Sequence, residues 1–97
     1  MDEEGFREYF HKKKRSPTAA NVYIKMLKKY RNFLQKYREH DKIELSSVED
    51  LLSFGNWLKE ENFQQPLVSM YKKALGNYFT FIERHDLAKI TENGFCI

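Results

Sequence analysis

Between Ser16 and Tyr37 the chain reads SPTAANVYIKMLKKYRNFLQKY. Its apolar positions, Val22, Tyr23, Met26, Leu27, Tyr30, Phe33, Leu34 and Tyr37, recur in steps of three and four. That rhythm matches the turn of an α-helix and predicts a long amphipathic one. Ser16 followed by Pro17 marks its start, because a serine side chain caps free backbone N–H groups and proline is tolerated at the first helical position. Lys25, Lys28, Lys29, Asn32 and Lys36 fall on the opposite side. A helix with one apolar face needs other elements to cover it, so the stretch constrains the whole chain to a packed helical fold.

The remaining segments supply such elements. Phe6, Tyr9 and Phe10 share one face of a short helix expected over 3–14. The segment SSVEDLLSFGNWLKEEN offers two capping arrangements, Ser46 with Glu49 and Ser47 with Asp50, and predicts a helix over 47–61. Val48, Leu51, Leu52, Phe54, Trp57 and Leu58 are its expected apolar face. Leu67, Met70, Tyr71, Ala74, Leu75, Tyr78, Phe81 and Ile82 mark a further helix over 66–85, with Ser69, Lys72, Lys73, Asn77 and Thr80 on its polar sides. Gly76 costs a helix interior about 1 kcal/mol against alanine, and a close helix crossing is the expected reason for it. Residues 86–97 read as a weakly patterned tail with a short turn of helix. No segment alternates with period two long enough for a strand. The expected fold is therefore all-α, one domain over 1–97, a compact four- to five-helix bundle.

Composition narrows the function. The chain has 97 residues and one cysteine, Cys96, so no internal disulfide points to secretion. No apolar run is long enough for a membrane span, and the acidic start MDEEGF is unlike the basic head of a signal peptide. A cytoplasmic, membrane-free protein is expected. Net charge is only +3, yet residues 11–38 hold ten Lys or Arg and no acid, while residues 39–61 sum to −5. Segregation of this kind suits polyanionic partners, although a basic run also serves as a plain solvated face. His11, His40 and His85 are too scattered for a metal site, and no phosphate-cradling glycine loop or nucleophile elbow occurs. The tyrosines lie on or end apolar stripes, which reads as packing. No catalytic residue, metal or cofactor is expected.

The stretch SPTAANVYIKMLKKYRNFL resembles the S-P-x-T-x-x-x-Y-x-x-x-L-x-x-F-x-x-F-L pattern that opens the core-binding domain of tyrosine recombinases, the phage-integrase family with its SAM-like N-terminal domain. Ser16, Pro17, Tyr23, Leu27, Tyr30, Phe33 and Leu34 fit, with Ala19 where threonine is usual. EDLLSFGNWLKEENF and ALGNYFTFIERHDL are similar to two later elements of that family. Gly76 replaces an arginine frequent there. The resemblance, over about residues 5–90, implies a helical module that clamps duplex DNA opposite a catalytic domain. It further implies DNA contacts from Ser16, Thr18, Asn21, Lys25, Lys28 and Lys29 on the second helix, and from Ser69, Lys72, Lys73 and Asn77 on the fourth. The catalytic domain of a recombinase would then be a C-terminal partner, and the module alone a monomer away from DNA.

Two functions stay open at this stage. One is a non-catalytic DNA-binding domain, whether part of a recombinase or a stand-alone occupant of its sites. The other is a helical protein-interaction module whose basic face meets acids such as Glu49, Asp50, Glu60 and Glu61 of a partner or second copy. A single concave face shared by Lys25, Lys28, Lys29, Lys72 and Lys73 would favour DNA.

Overall fold

The structure, a computed structural model, describes residues 1–93. Five helices follow one another: α1 (Glu3–Lys12), α2 (Pro17–Tyr37), α3 (Val48–Glu60), α4 (Gln65–Phe81) and α5 (His85–Glu92), with a 3-10 turn at Ile43–Leu45 between α2 and α3. The described residues contain no strand. The radius of gyration is 12.6 Å, which is about what a compact domain of this length has. No helix is long and apolar enough to cross a membrane.

Local signals set the helix starts. Asp2 accepts the Gly5 N–H at 2.9 Å and Ser16 accepts the Ala19 N–H at 3.0 Å. At α3 the reciprocal box forms between Ser47 and Asp50, not between Ser46 and Glu49. Helix ends were less visible in the sequence. Lys14, Asn62 and Glu83 follow α1, α3 and α4 with φ of 57°, 57° and 62°, and each lies in a Schellman closure. The next residue's N–H reaches back to the third-last helical carbonyl, as from Arg15 to Phe10, Phe63 to Leu58 and Arg84 to Phe79. Left-handed backbone of this sort normally falls to glycine.

The closure at Glu83 ends α4 at Phe81, four residues short of the expected 85. It also frees the next segment to form α5, where the sequence suggested only a weak tail. Leu87, Ala88 and Thr91 of α5 are buried against α3 and α4. An eight-residue helix is not stable alone, so this packing is what makes it form. The end of the tail, including Cys96, lies outside the described residues.

The core joins two aromatic groups across α4. Phe6 of α1 meets Tyr78 edge-on at 5.3 Å between ring centres, and Phe54 of α3 meets Tyr71 in the same way at 5.2 Å. Tyr30 of α2 is fully buried and packs on Phe54 at 4.9 Å. Ile24, Val68 and Phe79 join the core, although the periodic reading had passed them over. Conversely, Val48 and Leu52 are 38% and 40% exposed, and Tyr37 is 48% exposed. They were expected on apolar faces, but the bundle leaves those edges of α2 and α3 uncovered.

The turn at Ile43–Leu45 is tied from three sides. The Tyr30 hydroxyl and Ser46 Oγ lie 2.8 Å apart. The Tyr78 hydroxyl donates to the Glu44 carboxylate. Arg84 donates from Nη1 to the Glu44 carbonyl at 2.9 Å and from Nη2 to the Ser46 carbonyl at 3.1 Å. Beyond it, Asp50 is buried and accepts from Arg38 Nε at 2.7 Å and the Ser47 N–H at 3.0 Å, with His40 Nε2 2.9 Å away. Burial alone would raise the Asp50 pKa. The hydrogen bonds from Arg38, Ser47 and His40 outweigh it and hold the carboxyl below its ordinary value. Burial likewise pushes Glu44 up, and the Tyr78 hydroxyl and further hydrogen bonds turn the balance downward.

Substitutions at Gly76, Gly5 and Asp50 test the packing and its buried carboxylate. A methyl group at Gly76 would meet only Thr91 Cγ2, at 3.9 Å, so no close crossing requires glycine, contrary to expectation. Gly76→Ala should stabilise by about 0.5–1 kcal/mol and raise Tm by several degrees in a thermal melt. Gly5→Ala should lower it, because the added atom would sit 2.9 Å from Phe81 Cζ. The depressed carboxyls set the acid limb: their contribution is complete above the unfolded-state values, from about pH 5 upward, and fades as pH falls through the folded-state values. Asp50→Asn should lose about 2 kcal/mol at neutral pH and flatten the acid limb in urea melts between about pH 2 and 5. An unchanged acid limb would show that Asp50 does not drive it.

Candidate nucleic-acid interface

Burial divides α2 along its length. Ala20, Ile24, Leu27, Tyr30 and Leu34 are buried, and the positions turned away from them, Thr18, Asn21, Lys25, Lys28, Lys29, Asn32 and Lys36, are all exposed. The periodic pattern is thus realised as one polar stripe on a 21-residue helix. At 1.5 Å per residue the helix is about 32 Å long.

The flanks of the stripe differ. On the α1 side its polar groups are engaged: Arg7 donates to the Asn21 side-chain carbonyl, and Lys28 Nζ lies 3.6 Å from Glu3. That ion pair is exposed and weak, but it places an acid beside Lys28. Lys25, Lys29 and Lys36 form no ion pair among the described residues. Ser16 caps the helix, so its Oγ is already used. A small cavity of about 180 Å³ opens beside it, lined by Arg7, His11 and Arg15 as well as Phe10. His11 and Arg15 fall within the basic stretch 11–38, whereas Arg7 lies before it.

The α4 candidates lie elsewhere. Lys72, Lys73 and Asn77 line a separate cavity of about 280 Å³ with Thr91 and Glu92 of α5. Lys72 is half-buried there, not out on an open polar face. Asn77 donates its amide to the Lys73 carbonyl at 2.7 Å, and Ser69 is exposed in the first turns of α4. Lys29 opens instead onto a cavity of about 270 Å³ on the α3–α4 side. Lys29 and Lys36 of α2 thus line a different cavity from Lys72 and Lys73 of α4, so these cavities do not supply the single concave face that would have favoured DNA. Asp50, one of the acids considered for pairing with a partner's lysines, is buried and already bound.

The cavity beside Lys29 was not foreseen. Five rings line it, from Phe33 and Tyr37 on α2, Trp57 on α3, Phe63 in the following loop and Tyr71 on α4. The rings touch in series, Phe33 to Trp57 at 5.4 Å, Trp57 to Phe63 at 5.4 Å and Phe63 to Tyr71 at 6.3 Å. Phe33, Tyr37, Trp57 and Tyr71 stood at apolar positions of the periodic pattern, which alone assigns such residues to a core, whereas Phe63 lies in the connection between α3 and α4. Among the described residues no cluster of three His, Cys, Asp or Glu side chains could hold a metal ion. No family model, curated protein or solved structure matches the chain.

Proposed function

We propose that this chain is a non-catalytic, cytoplasmic DNA-binding module of the SAM-like, integrase core-binding type, monomeric off DNA. In that reading α2 lies along duplex DNA, and any strand-transfer chemistry belongs to a separate catalytic recombinase domain. The observation that carries it is the exposed stripe of α2, in which Lys25, Lys29 and Lys36 form no ion pair among the described residues and are interspersed with Thr18 and Asn32. Phosphates are gripped by just this mixture of cations, hydroxyls and amides. The length of α2 is close to one turn of duplex, about 34 Å. The proposal rests on α2, not on a clamp closed equally by both helices, because Lys72 and Lys73 line a different cavity, against α5.

A second reading, a protein-interaction module, is favoured by another surface. Leu45, in the 3-10 turn before α3, is 71% exposed, and Val48 and Leu52, one turn apart on α3, are 38% and 40% exposed. Exposed apolar side chains suit a protein partner, and they coexist with DNA on α2.

The test is fluorescence anisotropy with a labelled 30-base-pair duplex over a range of salt. Engagement of four or five phosphates gives a log–log slope of about −4. Replacing Lys25, Lys29 and Lys36 together with alanine should weaken binding at every sequence and shrink the slope by about 2–3, with the helical circular dichroism unchanged. Absence of binding at low salt would overturn the DNA reading in favour of the protein-interaction one.

A further inference from the structure

We infer that the aromatic cavity between α2, α3 and α4 takes an unpaired nucleobase from a strand held on the α2 stripe; this rests on the DNA-binding reading above. Lys29, Asn32 and Lys36 belong both to the stripe and to the cavity wall. A backbone tracked by those cations therefore runs along the mouth of the cavity. Inside, the rings of Phe33, Tyr37, Trp57, Phe63 and Tyr71 supply π faces and no acid. Aromatic faces interleaved with cations are the recurring platform for single-stranded nucleic acid, because every base offers a face to stack on. At about 270 Å³ the space is at the small end of ligand sites, suited to one planar ring system.

Two further features fit this occupant. Tyr37 is 48% exposed, an unusual state for a ring on the apolar side of a helix, and Lys36 Nζ lies 5.3 Å from its ring centre. The indole Nε1 of Trp57 is buried with no hydrogen-bond partner among the described residues. Such an N–H is costly to leave unpaired, so the indole gains an acceptor if it shifts toward a base carbonyl. An acidic peptide would satisfy the lysines equally well, but it has no comparable match to a series of five rings.

Trp57 is the single tryptophan of the chain, which makes its fluorescence a direct reporter. The full chain is titrated at low salt with a dT15 strand, a blunt duplex of equal length and an acidic, tyrosine-bearing peptide, with anisotropy of labelled ligands read alongside Trp57 emission. The expected result is quenching by dT15 and little by the blunt duplex, with both bound. Tyr37→Ala, at an exposed position, should weaken dT15 roughly tenfold and leave the duplex unchanged. Binding of strand and duplex with unaltered Trp57 emission and no effect of Tyr37→Ala would overturn the base site and leave the DNA-binding reading standing. Binding of neither nucleic acid would overturn both. Quenching by the peptide alone would overturn the base site in favour of a protein ligand.

Discussion

The fold turns on the anchoring of the 3-10 turn at Ile43–Leu45. Three side chains from distant parts of the chain meet there: Tyr30 of α2, Tyr78 of α4 and Arg84 after α4. Each brings a polar atom into a largely buried region, where an unpaired group is costly and a paired one is directional. Apolar packing brings α2 and α4 together, but it is tolerant of sliding. The hydrogen bonds to Glu44 and Ser46 fix which turn of each helix faces the connection. With that register set, α3 leaves the turn through the Ser47–Asp50 box, and Arg38 and His40 close over Asp50.

This register also shapes the surface. Because α1 lies beside one flank of α2, Asn21 and Lys28 acquire partners in Arg7 and Glu3. On the other flank the ends of α2 and α3 do not close completely, and the gap exposes rings that a tighter bundle would bury. Among the described residues Lys25, Lys29 and Lys36 form no ion pair, so their positive charge stands unneutralised along one side of α2. The cations of α4 are turned toward α5, where Glu92 lines the same cavity as Lys72 and Lys73. Similar lysines at similar helical positions thus have different electrostatic surroundings, set by their neighbours.

Much of the helical architecture was legible. The pattern around Tyr30 and Leu34 and the Ser16–Pro17 start placed α2 to within a residue at each end, because capping and periodicity are local properties. Alpha5 was not legible, since Leu87, Ala88 and Thr91 gain their meaning only from the α4 surface they cover. The end of α4 was hidden because Glu83, which turns the chain there, is not glycine, whereas α3 ends within one residue of its expected limit. The site was legible in part. Periodicity identified the α2 stripe, but it could not tell Lys28, beside Glu3, from Lys29, beside aromatic rings.

The sequence by itself determined that the fold is helical, where the first four helices begin, and that one face of α2 is cationic. These follow from short-range backbone and side-chain physics. Only the tertiary structure decided which apolar residues are core and which, like Tyr37, Val48 and Leu52, reach solvent. It also decided which cations are paired and that five rings from three helices and a loop enclose a cavity. Those properties depend on the angles and register at which helices meet, and contacts between residues distant in sequence set both.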